Sequence, residues 1–139
     1  NCWDLSNLSS FPNRQAKSLS NIIEKLGGML NMRKYSEKLF ESMMNGVERC
    51  KVGNHSMSRF GDSWYLMYHG NIILVIDTLE NKIIVDNCGY YTNSTTTAIN
   101  SHLEAIKEFT FFDNFRFYDV TSDKKFAKKI KQLFGKEVE

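Results

Sequence analysis

Three groups of residues in this sequence could do chemistry. The stretch GYYTNSTTTAIN, Gly89–Asn100, sets Tyr90 and Tyr91 ahead of Asn93 and five hydroxyls: Thr92, Ser94, Thr95, Thr96 and Thr97. Hydroxyls can cap a helix, help hold an anion at a helix start, or attack a substrate once a base activates them. The second group is the lysines Lys124, Lys125, Lys128, Lys129 and Lys131. Lys124, Lys128 and Lys131 recur at i, i+4 and i+7 and so line one side of a helix, flanked by Lys125 and Lys129, a stripe suited to phosphates or an acidic protein. The third holds the candidate acids, bases and metal ligands: His55, His69 and His102 with Asp77, Glu80, Asp86, Asp113 and Asp119.

Catalysis finds no positive support among them. His102-x-Glu104 has the H-x-E of zinc deaminases, but the P-C-x-x-C that must follow is missing and Pro12, the single proline, lies upstream. His102 is expected at the core edge or the surface. His55 and His69 fall in predicted turns without a second histidine at ligand spacing. Neither the G-x-S-x-G elbow nor a phosphate-cradling G-x-x-x-x-G-K-[ST] occurs. The carboxylates read as solvated turn residues. No catalytic residue, metal or cofactor is expected. Capping needs one or two hydroxyls, and the surplus beside two tyrosines is expected to form a recognition lip. The expected partner-binding set is Tyr90, Tyr91, Thr92, Asn93, Ser94 and Thr95 together with the five lysines. Ser94 or Thr95 is the expected cap, with Tyr90 or Tyr91 closing the core beneath the turn.

Bulk properties narrow the class. With 139 residues, 42% hydrophobic, the chain can build one core without staples. A net charge of +2 excludes a histone-like base or a nucleic-acid-mimicking acid. The distribution is uneven: residues 71–120 hold three cations against seven acids, while 121–139 hold Lys136 and the five lysines above against Asp123, Glu137 and Glu139. Cys2, Cys50 and Cys88 are odd in number and far apart, which favours reduced thiols over a disulfide framework. No apolar run approaches the roughly 18 residues of a membrane span, and with no apolar h-region among the first residues given, no secretory signal is expected. A cytoplasmic protein is expected. Abundant Asn, Lys and Ile with scarce Ala fit an AT-rich coding sequence.

The elements that must position these residues follow from periodicity. One domain, 1–139, is expected, with 1–13 irregular. Apolar residues at helical spacing predict a helix from about Arg14 through Leu30, ended or kinked at Gly27-Gly28, and a second helix carrying Tyr35, Leu39, Phe40, Met43 and Val47. KVGNHS reads as a loop. Strands are predicted near 62–69, 71–77 and 82–87, joined as an antiparallel meander. A helix near Thr96 buries Ile99, Leu103 and Ile106, FRFYDV forms a further strand, and TSDKKFAKKIKQLFG forms the last helix. In that helix Thr121 or Ser122 is the cap, Phe126, Ile130, Leu133 and Phe134 face inward, and Gly135 is the stop. The class is α+β: a helix pair, a three-stranded meander, a helix, a strand and a C-terminal helix.

The central third also resembles a module of small phage-encoded proteins of unknown function. The resemblance is carried by Tyr68–Asn71, Ile72–Asp77, Lys82–Asp86, Gly89–Tyr91, Thr92, Ser94–Thr97 and Ile99–Asn100. It implies a phage or mobile-element origin. By analogy with anti-CRISPR and other anti-defence proteins, it implies a non-catalytic inhibitor of a bacterial host's defence system. Its partner would be a host protein such as a CRISPR effector or other defence nuclease, met in the host cytoplasm by protein–protein contact. The alternative is a nucleic-acid-binding accessory protein using the lysine helix and the aromatics Trp64, Tyr65 and Tyr68.

Overall fold

Alternation and register build the centre of the molecule. The structure, a computed structural model, describes residues 20–139, with side chains from residue 32 onward. The elements run α1 (Ser20–Met44), β1 (Arg49–Val52), β2 (His55–Phe60), β3 (Ser63–Tyr68), β4 (Asn71–Asp77), β5 (Lys82–Val85), α2 (Asn93–Lys107), β6 (Arg116–Asp119) and α3 (Ala127–Phe134), with short 3-10 turns at Thr110–Phe112 and Ser122–Lys124. The expected irregular segment 1–13 and the helix start near Arg14 lie outside the described residues.

All six strands form one sheet in sequence order. β1 to β5 make an antiparallel meander, and β6 joins β5 in parallel after the α2 crossover. The α+β class is therefore observed, but the meander has five strands instead of three. The expected KVGNHS loop is a hairpin in which Val52 pairs with His55 across Gly53-Asn54. Gly53 takes φ +61, and a Cβ there would stand 3.2 Å from the Tyr35 ring, so glycine serves both the tight turn and the close approach of α1.

The expected helix pair is one continuous helix through Gly27-Gly28. Glycine keeps its amide donor, so each costs a helix only about 1 kcal/mol and does not break its hydrogen-bond ladder as proline would. α1 packs on α2 and on β1 and β2, while α3 packs on α2. The core lies between this helical layer and the sheet's inner face. It holds Leu39, Phe40 and Met43 of α1, Leu66, Leu74, Ile76 and Ile83 of the sheet, and Ile99, Leu103 and Ile106 of α2. Ile73 is the extra residue of a bulge where the β3–β4 register shifts, and it too is buried.

The last helix starts later than its sequence implies. Ser122–Lys124 form a 3-10 turn in which Asp123 and Lys124 take positive φ, and α3 proper runs from Ala127 to the left-handed Gly135. The buried Asp119 carboxylate organises this turn. It accepts from the Thr121 amide at 2.9 Å, the Thr121 hydroxyl at 2.5 Å and the Phe126 amide at 2.7 Å. Asp119 is thus a structural acceptor and not the solvated turn residue expected. Cys50 departs from expectation as well: it is disulfide-bonded, whereas Cys88 is free and exposed. Separation along a chain does not measure distance in space, which is what a disulfide requires. Among the described residues no helix is long and apolar enough to cross a membrane.

Candidate functional site

The hydroxyl run and the lysine stripe, distant in sequence, meet in space. Thr92, in extended backbone, is the cap of α2, and its Oγ1 accepts from the Thr95 amide at 3.3 Å. The cap is therefore two residues earlier than the earliest expected. Tyr90 and Tyr91 are 50% and 59% exposed, so neither closes the core. Cys88 and Gly89, both at positive φ, turn the chain outward just before them.

The other hydroxyls divide by helical angle. Thr95 is buried and bonded to Thr92, Thr97 donates to the Asn93 carbonyl at 2.7 Å, and Ser94 stays exposed beside Thr92. Thr96 points with Asn100 toward α3. There they line a cleft of about 220 Å³ closed on its far side by Lys125, Phe126, Lys128, Lys129 and Gln132. Lys125 Nζ also stands 5.6 Å from the centre of the Tyr91 ring. The Asn100 Oδ1 is buried and has no hydrogen-bond partner.

The lysines divide too. Lys129 donates to Glu104 at 2.7 Å, and Glu104 also holds Arg33 at 2.7 Å, tying α1, α2 and α3 together. Lys131 pairs with Glu137, and Lys124 reaches the carbonyls of Asp119 and Glu139 at 3.4 Å each. Lys125 and Lys128 make no salt bridge among the described residues. Of the eleven expected binding residues, Lys125, Lys128 and Lys129 line the cleft itself, Tyr91 abuts it through Lys125, and Thr95 turns inward. Thr96, Asn100 and Gln132 were missed. Their signal was their spacing: Thr96 and Asn100 are four apart on α2, as Lys128 and Gln132 are on α3.

The same end of the sheet exposes apolar side chains. β4 begins there and β5 and β6 end there, which places Ile72 and Val120, 41% and 60% exposed, at the end from which Tyr90 and Tyr91 project.

Two histidines lie deep inside instead of in turns or at an edge. His55 on β2 and His102 on α2 are 1% and 0% exposed, with ring centres 5.6 Å apart at 87°. His102 Nδ1 bonds Ser36 Oγ at 2.8 Å, while His102 Nε2 and His55 Nδ1 have no partner. Burial first, then the neighbouring imidazole, lowers both pKa values: His55 to about 4, with His69 beside it, and His102 to about 3, with His55 beside it. Trp64 and Tyr68, expected as exposed aromatics, are 6% and 8% exposed, and only Tyr65 faces outward. No protein-family model, curated protein or solved structure matches this chain.

Proposed function

We propose that this protein acts by binding and not by catalysis, taking an acidic segment of a partner protein into the α2–α3 cleft. The observation that carries this reading is the convergence of Tyr91, Lys125, Lys128, Thr96 and Asn100 on one surface. A carboxylate can accept from Lys125 or Lys128, whose ammonium groups form no salt bridges among the described residues. The exposed Tyr90 and Tyr91 supply the aromatic contacts that recur at the centre of protein interfaces.

The narrower form of the proposal, supported by the phage-protein resemblance, is inhibition of a host defence protein such as a CRISPR effector. Cytoplasmic action would require the fold to survive reduction of Cys50, because a reducing cytosol does not preserve disulfides. The test is affinity capture from host lysate, with nuclease treatment, comparing wild type with Lys125→Glu/Lys128→Glu and with Tyr90→Ala/Tyr91→Ala. A protein retained stoichiometrically by wild type and lost by both variants supports the reading. Retention by both variants rejects the cleft as the site.

A further inference from the structure

The helices cover one face of the sheet, and the alternation of buried and accessible residues identifies the other. Register aligns Arg49, Ser58, Tyr65, Val75, Ile84 and Tyr118 in one outward row across all six strands. The row spans about 24 Å at the usual strand spacing. Its members are half-buried or exposed, whereas the inward neighbours Cys50, Met57, Leu66, Ile76, Ile83 and Phe117 are buried.

Charge on this face is one-sided. Outward positions within the strands carry Arg49, Lys51, Lys82 and Arg116 against Asp77, with Asp86 just beyond β5 and Lys82 also paired to Glu80 of the adjoining turn at 3.6 Å. Both carboxylates are occupied by turns: Asp77 accepts from the Leu79 and Glu80 amides, and Asp86 from the Cys88 amide. The cations are set beside rings. Lys82 Nζ and the Arg116 guanidinium carbon each lie 5.8 Å from the centre of the Tyr118 ring. Phe60, 60% exposed, meets Tyr65 edge-on at 5.9 Å.

We propose that this open sheet face binds single-stranded nucleic acid. An aromatic ring flanked by cations accepts a stacked base and its phosphate together, and any base offers a π-face. Val75 and Ile84 fill the space between the Tyr65 and Tyr118 platforms with apolar surface on which sugars can rest. A duplex fits less well, because its bases are already stacked and this broad face carries no helix or ribbon to enter a groove. The surface is separate from the α2–α3 cleft and does not depend on the proposal made for it.

The test is fluorescence anisotropy with a labelled mixed-sequence oligonucleotide of about 16 nucleotides, as single strand and as duplex. The single strand should bind more tightly. Tyr65→Ala and Tyr118→Ala should each weaken it by about tenfold, and Tyr65→Phe and Tyr118→Phe, which keep the ring, should restore it. Arg116→Glu should flatten the slope of log affinity against log salt by about 0.7 or more. The proposal is overturned by no binding or by equal binding of the duplex. It also fails if the alanine variants are folded and bind normally, or if only Lys125→Glu/Lys128→Glu abolishes binding, which would put the polyanion in the cleft. Sedimentation showing a dimer that Tyr65→Ala dissociates would assign the face to a second copy instead.

Discussion

Thr92 shows how a single oxygen settles the start of α2. Thr92→Ala should cost about 0.5–2 kcal/mol in denaturant melts, while Ser94→Ala should cost far less, because only the Thr92 hydroxyl receives the Thr95 amide. The histidine pair makes stability depend on pH. Folded values of about 4 for His55 and about 3 for His102 lie below the ordinary 6.5, so between these limits the unfolded chain binds more protons. The stability from keeping the pair neutral is complete above about pH 6.5 and is lost as pH falls through the folded values. The expected slope is about 1.4 kcal/mol per pH unit for each histidine, measured by denaturant melts from about pH 6.5 down to about pH 5. His55→Gln should roughly halve it. An unchanged slope would show that the imidazoles reach solvent. None of this was legible in the sequence, where isolated histidines carry no mark of burial.

At the scale of the element, α3 hangs on Ile130, which is fully buried, while Lys128 is exposed. Ile130→Ala should cost about 2–5 kcal/mol, and Lys128→Glu should leave the melt almost unchanged. Glu104→Gln should cost about 1 kcal/mol by weakening the pairs to Arg33 and Lys129, with much of the effect vanishing in high salt. The Phe126, Ile130 and Leu133 spacing marks the helix's inner side in the sequence. The delayed start at Ala127 is not marked there: the Thr121 hydroxyl does accept from the Lys125 amide at 2.9 Å, as a cap would, but the Asp119 carboxylate holds both Thr121 and the Phe126 amide and fixes a 3-10 turn ahead of the helix. β1 and β2 were hidden for a related reason. Their inward residues include His55, a type that an apolar count passes over, and β1 is only four residues long.

For the whole molecule, reduction is the informative perturbation. If the protein acts in a reducing cytoplasm, it should remain folded at growth temperature in dithiothreitol, with a lower melting temperature as the disulfide constraint is released. Complete unfolding on reduction would instead assign it to an oxidising compartment. The cleft belongs to this scale as well, because it exists only where α2 and α3 cross.

Local chemistry by itself determined the α+β class, the strands β3 to β5, the inner faces of α2 and α3, and the stop at Gly135. Periodicity and turn residues act within a few positions of themselves, so a single sequence can display them. Tertiary structure alone decided which hydroxyl caps and which lines a cleft, which lysines are tied to Glu104 or Glu137, and that His55 meets His102. It also decided that Tyr65 and Tyr118, on strands three places apart, share one open face. Those outcomes depend on helix rotation and strand register. Both are set when distant segments bury their apolar sides together, and no local spacing encodes that fit.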